Sequence, residues 1–396
     1  MKSFIYSFTI LESILIFCIF SIFGINYEGS SSSSLYSLLT VISFALSLFY
    51  IIKDAKRYPL SPSVVVLLLI ILFWGLLAGK ANTSMYKCFA MFCVPAALIA
   101  NTSAKSGDFS WLGRWLDVFM LVISVSLFFS LPRLLVSISA GDSHYSQSLS
   151  YHASLAFAIN LFLYKYGELI EGRFKFFNSK YYLYLQLLLS PLQLVTIFFS
   201  GGRGGFVVVF ASLVLFVITF KGSVNRFIPS ILAIILISLA FLSLITSRVD
   251  SNFLNILESN STRLFSYLTS NGVDMSETSG RDEVYTLSWQ LVEKSPFFGY
   301  GLFEYVDYLR KFPYPHNLFL EWLLQGGTLL CLIATVFLII QLLKFKRIIN
   351  RNPEMLLLLP SFTYQKVQLM FSGSYMQTGL FWFFMVLIYS YKKVKQ

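Results

Sequence analysis

Between Pro315 and Arg351 the chain reads PHNLFLEWLLQGGTLLCLIATVFLIIQLLKFKRIINR. A polar entrance gives way to an apolar run over residues 316–343, and a basic cluster closes it. A hydrocarbon layer of ~30 Å takes about 20 residues of helix to cross. Cations collect on the cytoplasmic side of such segments. The stretch therefore predicts a span entered from the outer side and left at the cytoplasm, and the same pattern recurs along the chain.

Of 396 residues, 56% are hydrophobic and only 12% charged, against roughly 25% charged in soluble domains. The expectation is an all-α polytopic membrane protein of about twelve helices. Its spans run near 4–24, 35–52, 62–79, 84–100, 115–138, 149–165, 181–199, 205–220, 227–246, 316–343, 355–372 and 376–391. The first run has one Lys2 before it and no small-residue cleavage site after it, so it reads as a retained span. Links alternate in character. KDAKR (Lys53 to Arg57), Lys165 to Lys180, KGSVNR (Lys221 to Arg226), KFKRIINR and YKKVKQ are basic, whereas NYEGSSSSS and SAGDSHYSQS carry few cations. Both termini are thereby expected in the cytoplasm. The net charge of +11 lies in these short links, which argues against nucleic acid as a partner and for the bilayer. Cys18, Cys88, Cys93 and Cys331 lie inside apolar runs without metal-ligand spacing and read as small buried hydrophobes.

The expected organisation is nine spans over 1–246, a large outer loop over 247–315 and three spans over 316–396. The loop holds nine of the nineteen acidic residues. Within it, TSGRDEVYTLSWQLVEKSP predicts an amphipathic helix. Val284, Leu287, Leu291 and Val292 recur at helical spacing, Ser279 and Asp282 form a capping box, and Pro296 ends the helix. No repeat relates the two halves, which weighs against an inverted-repeat transporter.

Three places bear chemistry. In SGGRGG (Ser200 to Gly205), Gly202 and Gly204 flank Arg203 ahead of a helix. Such a turn suits close backbone approach and anion binding, with a plain turn and a snorkelling arginine as the other reading. Arg281, in the first turn of the loop helix, opposes the helix dipole unless an anion sits there; the other reading is a solvated arginine. Lys80, Lys87, Arg133, Arg310 and Lys311 are further outer cations for such a pocket. His316 titrates near neutrality and suits proton abstraction. Asn317 beside it reads as an orienting or sugar-binding group, and Glu321 as a nearby negative charge. An interfacial polar histidine is the other reading for His316, and the one taken for His144 and His152. Lys366, with Gln365 and Gln368, stands inside the eleventh span; it reads either as functional or as the mark of a tilted or re-entrant segment. Walker A, dinucleotide, HExxH and GxSxG patterns are absent from the sequence.

Taken in order, SGGRGG, SGRDEVYTLSWQLVEKSPFFGYGLFEY and PHNLFLEWLLQGG resemble the O-antigen ligase and Wzy-type polymerase superfamily of bacterial inner membranes. The resemblance covers Ser200 to Gly327. It implies a glycosyltransferase at the periplasmic face whose donor is an oligosaccharide on undecaprenyl pyrophosphate, with neither metal nor other cofactor. By the same resemblance Arg203 and Arg281 hold the donor pyrophosphate and His316 activates the acceptor hydroxyl; the extension to Asn317 and Glu321 is weaker. Tyr300, Phe303, Tyr305, Tyr308 and Tyr314 are available to stack on sugars or to form an interfacial belt. A polymerase, with a second lipid-linked repeat unit as acceptor and a chain-length regulator as a conceivable partner, is the leading expectation. A ligase acting on lipid A–core is the alternative. A flippase is the reading from another class; it predicts charges deep within many spans.

Overall fold

Lipid offers no partner to a backbone N–H or C=O, so an apolar run crosses it as a helix, which satisfies both internally. The computed structural model follows that rule. It describes residues 1–25, 30–62, 83–107, 110–139, 147–219, 281–302, 304–309 and 312–391, with short pieces at 64–65, 68–69, 236, 240, 268–269 and 272–273. The helices are α1 (Lys2–Ile10), α2 (Glu12–Phe23), α3 (Ser30–Ala55), α4 (Thr83–Cys88), α5 (Val94–Ser106), α6 (Ser110–Ser139), α7 (Gln147–Tyr166), α8 (Lys180–Phe199) and α9 (Arg203–Thr219). After the loop come α10 (Arg281–Lys294), α11 (Tyr305–Tyr308), α12 (Leu318–Arg351), α13 (Leu359–Phe371) and α14 (Gly379–Ser390). A two-residue antiparallel ladder pairs Leu268 with Val273 and Thr269 with Gly272.

Among the described residues, five helices are long and apolar enough to cross a membrane: Ser34–Ala55, Tyr86–Ser106, Gly113–Val136, Lys180–Phe199 and Leu318–Arg351. The expected spans at 62–79 and 227–246 lie largely outside the described residues. The run 4–24 is not one straight span, because α1 and α2 meet at 91°. Leu11 leaves the helical region at φ −109° and ψ 16°. The bend seats the buried Glu12 carboxylate near the hydroxyls of Thr40 and Ser43. The eleventh run also differs: Pro353–Leu358 is a 3-10 turn and only then does α13 begin.

Helix α7 is buried at every position from Leu149 to Leu163, packed against α6, α8, α9 and α13. This central placement explains why so polar a helix is stable here, since it faces protein on all sides. Asn160 Nδ2 donates to Gln186 O at 2.9 Å and Ser190 Oγ at 3.1 Å, and Gln193 Nε2 donates to Ser124 Oγ at 2.8 Å. Buried polar side chains of this kind tie helices together where apolar surfaces alone give no preference over lipid.

The expected span 316–343 is broken inside QGG. Gly326 (φ −140°, ψ 21°) and Gly327 (φ 63°, ψ −161°) leave the helix. The break exposes carbonyls that need donors, and the PFFGYG turn after α10 supplies them. Tyr300 N–H donates to Leu324 O at 2.7 Å and Gly301 N–H to Gln325 O at 2.8 Å, while Thr328 N–H returns to Pro296 O at 2.8 Å. A Cβ at Gly327 would fall 2.2 Å from the Phe297 carbonyl carbon, so only glycine admits this contact. Below the break, the face bearing Leu332, Val336, Ile339 and Leu343 is exposed and apolar, as a lipid-facing helix requires. Above it, Val284, Leu291, Val292, Tyr305, Leu309 and Leu324 form a small core of their own. That core fixes α10 and α11 against the first turns of α12.

Candidate active site

Each of the three residues singled out for chemistry begins or immediately precedes a helix. Arg203 is the first residue of α9, Arg281 the first of α10, and His316 stands two residues before α12. Helix starts carry partial positive charge, so this arrangement favours an anion if the starts converge. They do converge. A Cβ at Gly204 would fall 1.9 Å from the Tyr151 hydroxyl, which places Tyr151 of α7 at the first turn of α9. The Arg281 guanidinium lies within electrostatic reach of Tyr151, Tyr314 and His316. Arg203 Nε and Nη1 are shielded from solvent.

The glycines of SGGRGG have a different job from the one expected. Gly202 and Gly204 abut Ser150 and Tyr151 of α7, where any side chain would collide. Ser150 Oγ donates to Gly202 O at 2.8 Å. Their smallness lets two helices touch, and so positions Arg203; they do not offer open backbone to a ligand.

His316 has φ 55°, the one non-glycine residue with positive φ among those described. Such a conformation costs about 1–3 kcal/mol and persists where the surroundings impose it. The Tyr314 ring packs edge-on to the imidazole at 4.5 Å between centroids, and Nδ1 is buried with no hydrogen-bond partner among the described residues. Burial, and then the Arg281 charge, lower the His316 pKa to about 4. The imidazole is therefore neutral at pH 7 and able to take a proton.

Asn317 does not orient the imidazole. Its Oδ1 accepts from Phe319 N at 3.0 Å and Leu320 N at 3.2 Å, capping α12. The histidine–asparagine pair is thus a bend followed by a cap. Glu321 is also committed elsewhere. It is buried and accepts from Tyr305 Oη at 2.7 Å and from Ser374 Oγ. It joins α11 and the 372–378 loop to α12, and it lies within electrostatic reach of Tyr314. Tyr305 is fully buried in that contact and is withdrawn from any stacking role.

Arg133 donates through Nη1 to Ser21 O at 3.0 Å, at the end of α2. Lys87 is exposed on α4. Arg310, Lys311, Lys80, His144, Phe303 and the capping serine Ser279 lie outside the described residues. His152 packs on Phe17 at 4.6 Å between centroids and is buried in the bundle. Lys366 sits between the Phe381 and Phe362 rings, its Nζ 4.5 and 5.3 Å from their centroids. Sequence reasoning missed Tyr151 altogether. Its only signal is a tyrosine one turn into an unusually polar apolar run, and the glycines that reveal it are some fifty residues away.

Set against known proteins, residues 188–349 match the family model described as O-antigen ligase, and no curated protein matches the chain. The matched stretch takes in Arg203, Arg281, His316 and the Gly326–Gly327 break, and over these residues the chain is similar to that family.

Proposed function

We propose that the chain transfers a glycan from a polyprenyl-pyrophosphate carrier to a sugar hydroxyl at the outer face of the bacterial inner membrane. The observation that carries this is the convergence of Arg281 with His316 and with Tyr151 at the start of α9. A neutral base stands within electrostatic reach of Arg281, a cation that suits a pyrophosphate. In the reaction, the acceptor oxygen bonds to the anomeric carbon and the carbon–oxygen bond to pyrophosphate breaks. The hydroxyl proton passes to His316, and polyprenyl pyrophosphate leaves with the bonding pair. Arg203 and Arg281 offset its developing charge, a fixed electrostatic contribution that needs no reorganisation. A positioned base contributes typically ~10²–10⁴ in rate, and two lipid-anchored substrates held at one face add proximity. Once the donor's negative charge balances Arg281, the lesser cause of the low histidine pKa is removed, so donor binding makes His316 a better base.

The acceptor in this proposal is a second lipid-linked repeat unit, which makes the enzyme a polymerase; the PHNLFLE and PFFGYG stretches resemble those enzymes. The second reading, transfer to lipid A–core, is favoured by the description of the matched family. Deletion of the gene in its host, with lipopolysaccharide resolved on a gel, tests both. Core carrying a single repeat unit marks a polymerase, and bare core with accumulated lipid-linked polymer marks a ligase. An unchanged ladder, with every other surface glycan also intact, would defeat the proposal.

A further inference from the structure

No described residue accepts a hydrogen bond from the Tyr151 hydroxyl. Tyr151 is 2% exposed, and its Oη is buried with no hydrogen-bond partner among the described residues. Gln147, a turn earlier on α7, lies near without completing a hydrogen bond. A buried hydroxyl without a partner disfavours folding, so one held this firmly calls for an acceptor supplied from outside. It is held firmly. The ring meets Tyr364 of α13 edge-on, 6.2 Å between centroids at 87°, and the Ser150–Gly202 hydrogen bond pins this turn of α7 to the glycine turn before α9. The hydroxyl itself lies 1.9 Å from where a Cβ of Gly204 would be, at the first turn of α9. Arg281 of α10 lies within electrostatic reach of it, as do the Tyr314 and Tyr285 hydroxyls.

We propose that Tyr151 is a binding residue of the anion site, donating its Oη–H to a phosphate oxygen of the lipid-linked donor. This rests on the transferase reading above, but Tyr151 lies outside the matched stretch 188–349 and is assigned from geometry alone. The hydroxyl supplies direction where the arginines supply charge. A neutral donor fixed by two helices orients one phosphate oxygen, while the flexible guanidinium groups neutralise the rest.

The test uses the full chain in nanodiscs, bare undecaprenyl pyrophosphate as probe, and the Tyr151→Phe variant, which keeps the ring and removes only the oxygen. A hydrogen bond to a charged group predicts binding about ten- to a hundredfold weaker. The unfolding midpoint should stay at or above that of the wild type, because no hydrogen bond to a described residue is lost. That combination supports the assignment. Equal affinity in Tyr151→Phe and wild type overturns it and leaves the transferase reading standing. Weaker binding together with a lowered midpoint marks a structural tyrosine and also overturns it. Wild type that fails to bind the pyrophosphate sinks the transferase reading and this inference together.

Discussion

Gly327→Ala tests whether the broken helix is the joint that positions the site. Two penalties add at this residue. Its backbone (φ 63°, ψ −161°) lies in a region open essentially to glycine alone, worth about 1–3 kcal/mol. The new Cβ would also stand 2.2 Å from the Phe297 carbonyl carbon and 2.3 Å from its oxygen, and backbone cannot swing aside as a side-chain tip can. The PFFGYG turn must then lift, and with it go the hydrogen bonds at Tyr300, Gly301 and Thr328, each worth roughly 0.5–1.5 kcal/mol. The sum is about 3–7 kcal/mol, much of the stability of an ordinary domain. The expected result is a sharply lowered unfolding midpoint in detergent, new protease cleavage between α10 and α11, and loss of transfer. Gly373→Ala is the control. Its φ is also positive at 77°, but a Cβ there has room, with its nearest neighbour 3.9 Å away; it should lose only about 1–2 kcal/mol. A Gly327→Ala protein as stable and active as wild type would refute the joint.

Two further outcomes follow from the site. His316 must be neutral to accept a proton, and its pKa is held at about 4. The acid limb of kcat/KM should therefore lie near pH 4, with activity lost as pH falls through it. Arg281→Gln removes one of the two causes and should move that limb upward, towards the ordinary histidine value; an unmoved limb would separate Arg281 from His316. Asn317→Ala removes the α12 cap and should lower stability by about 0.5–2 kcal/mol. Asn317→Asp or Asn317→Ser should restore it, and failure of both to do so would return Asn317 to a ligand role.

The helices were legible because apolar runs and basic links follow from the solvent the chain meets. The amphipathic α10 and its end before Pro296 were legible too, since Val284, Leu291 and Val292 turn inward at helical spacing. What stayed hidden depends on partners distant in sequence. Nothing local in QGG says that its freed carbonyls will meet PFFGYG. The glycines of SGGRGG read as a ligand cradle until α7 is seen packed upon them. Asn317 reads as functional because it stands beside His316, whereas in the structure its Oδ1 caps α12. Arg133 shares the expected side of the membrane with the arginines of the site, and the structure gives it Ser21 O as a hydrogen-bond partner. The bend at Leu11 was masked by the apolar flanks on either side of it.

The most direct measurement reconstitutes the purified chain in liposomes with an undecaprenyl-pyrophosphate-linked repeat unit, and follows glycan length and released undecaprenyl pyrophosphate together. The wild type should lengthen the glycan by whole repeat units and release one carrier for each bond formed. His316→Gln should still bind the donor yet transfer at least a hundredfold more slowly, the low end of what a positioned base contributes (~10²). Transfer by His316→Gln at the wild-type rate, or carrier release without a new glycosidic bond, would contradict the account.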